Sequence, residues 1–183
     1  LALPAQLDGQ VGDAVTLAVG YSRQDNNSDG VLWGAAPVIY TDGSQADFDV
    51  STTTTMDWTY WNTLVDTAFV EAGWQIRDNL QLLSTVTHTD YEEESELFYV
   101  YWLTGLDADT GLGMWSYPGK YDDERETLLW DTRLHGSFEA WGQQHAFNLG
   151  VSIADSDSQS LDSGALGGFV EMPAFPGWQG QEV

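Results

Sequence analysis

The sequence predicts an all-β fold of antiparallel, up-and-down strands, and three observations lead to that prediction. Several stretches alternate between apolar and polar residues, which is the period of a strand with one apolar face. Some of these stretches are joined by short turns, and others are joined by long polar connections. No stretch gives a convincing helix.

The first clear strand covers residues 14–24, which read AVTLAVGYSRQ. Val15, Leu17 and Val19 point to one side of this strand, and small or polar residues point to the other. The segment before it, residues 7–13, predicts a short turn. The residues in front of that turn are therefore expected to be the tail of an earlier strand.

The next pair of strands alternates less regularly. Residues 62–76 and 80–93 are interpreted as strands, and the short segment 77–79, which reads RDN, is interpreted as the turn between them. Residues 96–103 extend the second of these strands. This pair again predicts a hairpin rather than a helix or a parallel crossover.

The last hairpin has the clearest pattern. Residues 127–140 and 145–155 alternate between apolar and polar positions, and the segment 140–144, AWGQQ, interrupts them. A short Gly-containing turn between two alternating runs is typical of a β-hairpin. The alternation resumes after the turn because the chain returns to the same sheet.

Three long connections separate the hairpins: residues 25–57, 104–123 and 156–183. Outer-membrane barrels segregate loop length in this way, with short turns on the periplasmic side and long loops outside. We therefore expect the strands to form part of a transmembrane β-barrel with short periplasmic turns and long extracellular loops. The alternative is an antiparallel sandwich with one solvated face.

The charge composition restricts the possible partners. Five Lys and Arg residues stand against 29 Asp and Glu residues, which gives a formal net charge of −24. Too few cations are present to displace counterions from nucleic acid, so a nucleic-acid partner is not expected. The absence of cysteine excludes disulfides and thiolate metal sites. No apolar stretch approaches the roughly 20 residues of a membrane helix, and the first residues do not resemble a signal peptide.

The last hairpin resembles the barrel of TonB-dependent ferric-siderophore receptors. The resemblance rests on a spaced set of residues across the hairpin: Gly136, Phe138, Glu139, Gly142, His145 and Gly150. Residues 13–25, 35–44 and 57–63 match other segments of that family in the same order. The resemblance implies an outer-membrane transporter that binds and imports ferric siderophores and is driven through TonB. It implies a protein that is not an enzyme.

The chain also departs from the family pattern. Nothing in it resembles the N-terminal plug domain, the motif that engages TonB, or the closing C-terminal strand. Receptors of this kind have about 22 strands, and the sequence supplies about five or six. We therefore expect residues 1–183 to be a single partial barrel domain from a longer receptor, with TonB acting through the plug.

No residue group predicts catalysis, and no cofactor is expected. His88, His135 and His145 lack the close spacing of metal ligands, and residues 90–96, DYEEESE, lack the spacing of a calcium loop. Charged residues along the strand 127–140 are interpreted as a hydrated wall rather than an acid–base cluster. The sequence therefore predicts neither catalytic residues nor metal ligands.

Aromatic residues supply the candidate ligand site. Trp33, Tyr40, Trp115 and Tyr117 lie in Gly- and Pro-rich connections, outside every alternating run. Packing of the loops onto themselves would explain them equally well. In the receptor family, such residues line a cup for a ferric siderophore, whose iron is already wrapped by the siderophore, so that stacking surface is sufficient. These four residues are the predicted ligand-binding residues.

The sequence thus favours part of a bacterial outer-membrane receptor that contacts lipid and binds a ferric siderophore. A protein of a different class remains as the alternative: a secreted, acidic β-sandwich that binds carbohydrate through loop tryptophans. A plug upstream and more hairpins downstream would favour the receptor, whereas a single sandwich behind a signal peptide would favour the binding module.

Overall fold

A computed structural model describes residues 2–102, 104–164 and 168–177, and within them the chain forms seven strands and no helix. Consequently, no helix in these ranges is long and apolar enough to cross a membrane. The strands are β1 (Ala2–Val11), β2 (Val15–Asp29), β3 (Tyr60–Arg77), β4 (Leu80–Tyr101), β5 (Trp115–Ala140), β6 (Gln143–Gly164) and β7 (Val170–Glu171).

All seven strands belong to one sheet, in which β1 to β6 are neighbours in chain order. The β1–β2 pair is antiparallel, with Ala2 opposite Gln24 and Val11 opposite Val15. The short β7 pairs antiparallel with the start of β5, where Trp115 lies opposite Glu171. The all-β, antiparallel, up-and-down fold is therefore confirmed. A sandwich would need two sheets, and the described ranges contain a single sheet.

A short turn connects the two strands of each hairpin. The turns occupy residues 12–14, 78–79 and 141–142. In the last turn, Trp141 and Gly142 have φ angles of 53° and 76°. Two successive residues with positive φ match the right-handed twist of the flanking strands, which is why such turns are favoured in hairpins. The interruption at AWGQQ is thus a two-residue turn.

Several strands extend into segments that were predicted as connections. β1 occupies most of the predicted turn 7–13, β2 continues to Asp29, and β6 continues to Gly164. β5 begins at Trp115, inside the predicted loop 104–123. These boundaries were wrong because the extensions of β2 and β6, DNNSD and SDSQSLDSG, carry mostly polar residues on both faces, and those of β1 and β5 contain Gly9 and Pro118. Such strands are held by hydrogen bonds to their neighbours, and apolar alternation does not reveal them.

Contacts divide the chain into two units. Unit 1 consists of residues 1–25, 64–92 and 124–159, and unit 2 consists of residues 26–63, 93–123 and 160–183. Unit 2 has a core of large apolar side chains that are almost completely buried. These residues are Met56, Phe98, Val100, Leu106, Met114, Met172 and Phe175.

Unit 1 has one face that exposes large apolar side chains. Contacts between neighbouring strands define this face: Tyr21 donates a hydrogen bond to Asp66, Trp130 Nε1 donates to Ser84 Oγ at 2.9 Å, and the Phe138 and Phe147 rings are 6.3 Å apart. By strand alternation, the same face carries the residues expected from the sequence to share one side. These residues are Val15, Leu17, Val19, Phe147, Leu149, Val151 and Ile153.

The opposite face of unit 1 is polar. Thr85 donates a hydrogen bond to Glu71 across β3 and β4, and Ser152 donates one to Asp131 across β5 and β6. Arg133 Nε lies 2.9 Å from Asp131 Oδ1. This pairing of charges and hydroxyls fits the hydrated wall predicted for β5.

Candidate functional site

Six aromatic rings in unit 2 form a connected group, here called the aromatic cluster. Trp33 packs edge-on against Tyr99 and Tyr121, with ring centroids 5.2 and 5.5 Å apart. The Tyr99 and Tyr101 rings are 4.3 Å apart, and Phe169 lies 4.9 Å from Tyr101. The sixth ring, Tyr117, lies 5.5 Å from Phe169.

Three chain segments position the aromatic cluster. Tyr99 and Tyr101 are two residues apart on β4 and therefore point to the same face. The backbone of Trp33 forms an isolated parallel bridge with Tyr99, which places the loop tryptophan beside that face. The long loop after β2 thus returns to β4 beside its two half-buried tyrosines.

Two glycines make room for the tyrosines of β5. A Cβ atom added at Gly119 would collide with the Tyr121 side chain, and one added at Gly164 would collide with the Tyr117 hydroxyl. Glycine is therefore required at both places if these rings are to keep their positions. This packing explains why a glycine stands between the two tyrosines of the sequence YPGKY.

The aromatic cluster is partly exposed rather than buried. Phe169 is 43% exposed, and the other five rings are half-buried. Burial raises the pKa of the Tyr121 hydroxyl, and the nearby Asp162 carboxylate adds to this increase. Tyr121 is therefore a neutral hydrogen-bond donor at physiological pH. The cluster presents flat apolar surface with hydroxyl groups at its edge, which suits stacking against an organic ligand.

An ion pair lies in the same unit. Lys120 Nζ donates to Glu94 Oε1 at 3.2 Å and lies 3.7 Å from Glu96 Oε1, and Tyr60 donates to Glu94 at 3.0 Å. Hydrogen bonds from Lys120 and Tyr60 lower the pKa of Glu94, and the bond to Glu94 raises the pKa of Lys120. A cavity of about 450 Å³, lined partly by Trp58, Glu96 and Lys120, opens beside this pair.

The four predicted ligand-binding residues do not come together as one group. Trp33 and Tyr117 belong to the aromatic cluster. Trp115 lies on β5 two residues before Tyr117, so alternation places it on the same strand face. The prediction that Trp115 and Tyr117 are loop residues was wrong.

Tyr40 has a different environment. Its ring lies 6.1 Å from Phe48, and Phe48 lies 5.1 Å from Phe175 in the core of unit 2. Tyr40 and Phe175 therefore pack the loops onto themselves, as the alternative interpretation of the loop aromatics expects. Trp178, another tryptophan near the C-terminus, lies outside the described residues.

The sequence pattern did not identify four members of the aromatic cluster: Tyr99, Tyr101, Tyr121 and Phe169. A signal was present for the first two, because the stretch FYVYW places two tyrosines at alternating positions, as on one face of a strand. Tyr121 stands four residues after Tyr117, which also keeps both on one strand face. Phe169 gave no signal, because its position depends on how the chain after β6 returns to β4 and β5.

The histidines lie in unlike environments. His145 Nε2 lies 3.2 Å from the Ala140 carbonyl oxygen, and its ring stacks on Phe138 with centroids 5.3 Å apart. His88 instead lies between two carboxylates, those of Asp90 and Glu126. The sequence predicted no group of metal ligands. His88, Asp90 and Glu126 were not recognised as a group because they come from two different strands.

One up-and-down sheet, an exposed apolar face and long loops together are the architecture of part of a transmembrane β-barrel. The barrel fold implied by the sequence resemblance is therefore confirmed, and solved structures specify it further. The chain matches the ferripyoverdine receptor of the outer membrane of Pseudomonas aeruginosa, solved with ferripyoverdine bound, with a TM-score of 0.76 and 20% identity. The match covers 88% of this chain and 21% of the receptor.

Two further relatives are ferric siderophore receptors by name. BauA, the ferric preacinetobactin receptor from Acinetobacter baumannii, matches with a TM-score of 0.76 and 15% identity over 95% of this chain and 26% of its own. The ferric-pyoverdine M114 receptor PbuA of Pseudomonas sp. (strain M114) is 24% identical over 150 residues, which are 82% of this chain and 18% of PbuA. No family model matches the sequence. The chain thus spans about a fifth to a quarter of the relatives' length.

Proposed function

We propose that this chain is part of a TonB-dependent receptor in a bacterial outer membrane that binds and imports a ferric siderophore. The observation that carries the proposal is the match to the ferripyoverdine receptor over 88% of the chain. The carbohydrate-binding alternative required a sandwich, and the single sheet gives it no support. The relatives are transport receptors, and the proposal contains no catalytic step.

In this proposal, the exposed apolar face of unit 1 contacts the lipid bilayer. A barrel strand crosses a bilayer with about 9–11 residues, whereas β3 has 18 residues and β5 has 26. The strands therefore continue beyond the membrane. The short turns at residues 78–79 and 141–142 face the periplasm, and the connections at residues 30–59 and 102–114 lie outside the cell.

The aromatic cluster is the proposed contact surface for the siderophore. The siderophore supplies the ligands of its own iron, so the receptor needs only stacking surface and hydrogen-bond donors. Trp33, Trp115 and Tyr117 keep their predicted role. Tyr40 acts indirectly, because it packs the loop that carries Trp33. TonB, according to the family resemblance, acts through the plug domain of the complete receptor.

Iron uptake tests the proposal. Cells that lack the complete receptor would be complemented with the wild-type gene and supplied with radioactive iron in a panel of siderophores, including ferripyoverdine and ferric preacinetobactin. At least one complex should be taken up only with the receptor, and uptake should stop in a strain without TonB. Equal uptake of every complex with and without the receptor would contradict the proposed function.

A further inference from the structure

We infer that His88, Asp90 and Glu126 form a binding site for a divalent transition-metal ion, for which zinc is the best fit. One potential ligand atom from each residue lies within 4.8 Å of the other two. His88 Nε2 is 2.9 Å from Glu126 Oε1, and His88 Nδ1 is 3.6 Å from Asp90 Oδ2. The site lies in unit 1, which contains no residue of the aromatic cluster.

The sheet geometry brings the three residues together. His88 and Asp90 are two residues apart on β4, so both point to one face, and Glu126 is on the neighbouring strand β5. Side chains opposite each other on paired strands have Cβ atoms about 5 Å apart, which is close enough for two ligands of one ion. The group is therefore held by the backbone of two long paired strands.

The three ligand atoms lie close enough to converge on one zinc ion when the side chains rotate. Zn–N and Zn–O bonds of about 2.0–2.1 Å in tetrahedral geometry place two ligand atoms about 3.3 Å apart. The observed separations of 2.9 and 3.6 Å involve different ring nitrogens, Nε2 and Nδ1, so one carboxylate must move toward the nitrogen that binds the ion. Rotation of the imidazole, which is 39% exposed, can bring one ring nitrogen toward the ion while the carboxylates follow.

The surroundings of the site are strongly acidic. An open cavity of about 540 Å³ is lined by six carboxylates and by Arg125 as the one cationic side chain among its lining residues. The carboxylates are Asp66, Asp90, Glu92, Glu124, Glu126 and Asp157. A cleft lined by one sign of charge raises the local concentration of the opposite ion. Divalent cations are therefore attracted to the place where His88 supplies a nitrogen ligand.

The imidazole determines which cation is preferred. Calcium and magnesium take oxygen ligands, whereas zinc and other late first-row metals also bind imidazole nitrogen. One histidine and two carboxylates supply three ligands of types that zinc binds, and they leave a fourth position for water. The side chains of Asp90 and Glu126 are 53% and 66% exposed, so the ion would exchange with solvent.

Zinc chloride alone is the probe for the test. The complete receptor, purified in detergent at physiological salt, would be titrated calorimetrically with zinc and compared with its His88→Gln, Asp90→Asn and Glu126→Gln variants. We expect each variant either to bind one zinc ion fewer than the wild type or to bind that ion at least about tenfold more weakly. The matched controls are Glu124→Gln, which removes the same charge from the same cavity, and His135→Gln, and both should bind zinc as the wild type does.

Two measurements locate the ion and exclude simple charge attraction. Crystals soaked in zinc should show an anomalous peak within bonding distance of one ring nitrogen of His88, and excess calcium should not displace that ion. Binding that is unchanged in His88→Gln, or lost equally in Glu124→Gln, would overturn the inference. Both results are independent of siderophore uptake, so the metal site can fail while the proposed function stands.

Discussion

Unit 1 and unit 2 differ in whether they bury large apolar side chains. Every large apolar residue that the described ranges bury almost completely belongs to unit 2. In unit 1, the alternating apolar residues remain exposed, and Leu149 and Val70 are examples at 63% and 55%. The two units consist of the same long strands, so the difference comes from what covers the strands.

The two units obtain their apolar contacts from different sources. In unit 2, the loops supply them, since Met56, Leu106 and Met114 lie in the connections and pack against Phe98 and Val100 of β4. In unit 1, the short turns carry no such residues. Its apolar face therefore requires another apolar phase, and we expect the bilayer to provide it.

Removal of a core ring should disrupt unit 2. Phe98→Ala deletes a fully buried side chain, and Phe→Ala in a core costs about 3–5 kcal/mol. We expect faster hydrogen exchange and proteolysis in residues 30–59, which pack on this ring through Met56. Val50→Ala is the control, because Val50 is fully exposed. If residues 30–59 kept their wild-type protection from exchange and proteolysis in Phe98→Ala, the buried residues around Phe98 would not be what stabilises unit 2.

A charge on the apolar face of unit 1 should destabilise the complete barrel. Leu149→Arg should cost about 2–4 kcal/mol if Leu149 lies near the bilayer midplane, whereas Asn148→Arg, on the opposite face, should cost much less. Unfolding of the receptor by denaturant in lipid vesicles measures both variants. Equal losses at the two positions would remove the distinction between the lipid face and the polar face.

Loss of one ring from the aromatic cluster should weaken ligand binding moderately. A buried aromatic contact contributes about 0.5–1.5 kcal/mol beyond area burial, so Trp33→Ala should weaken siderophore binding by about two- to tenfold. Receptor abundance in the membrane should not change. Trp141→Ala is the matched control, since Trp141 is 92% exposed in the turn of unit 1. If the Trp33→Ala, Tyr117→Ala double variant binds normally, the cluster serves packing alone.

The ion pair of unit 2 should have the smallest effect, because exposed pairs are weak. The pKa of Glu94 is lowered by Lys120 and Tyr60, so its stabilising contribution is present above the ordinary value of 4.5 and is lost as the pH falls through the lowered pKa. Protease resistance of Glu94→Gln should therefore fall slightly below wild type at neutral pH and equal it in acid. Glu92→Gln, an exposed carboxylate of the same strand, should match wild type throughout.

The fold could be predicted from the sequence where one face of a strand is apolar. Residues 15–24 and 145–155 lie in β2 and β6. The turn between β5 and β6 was placed to within two residues, whereas the turn before β2 was predicted to begin five residues too early. The strand ends at Asp29 and Gly164 could not be predicted, because both faces there are polar and solvated. In those segments the hydrogen-bonded neighbour determines the strand, and a single sequence does not show which neighbour that is.

The candidate site was predictable only in part for a related reason. Trp33 and Tyr117 were identified by residue type, but the contacts of Trp33 with Tyr99 and Tyr121 depend on the register between β4 and β5. The same register brings His88 to Glu126. Residue spacing along the chain shows which side chains share a strand face, whereas contacts between strands become visible only with the structure.

The order of the strands in the sheet has a consequence for how the chain folds. Each of the first five strands pairs with the next strand in sequence, whereas the short β7 returns to pair with β5. Closing the connection 30–59 costs roughly 2 kcal/mol more chain entropy than closing the turn 78–79, because this cost rises with the logarithm of loop length. The hairpins β3–β4 and β5–β6 are therefore the natural first structures, and the joining of finished hairpins across the long loops is the slower step.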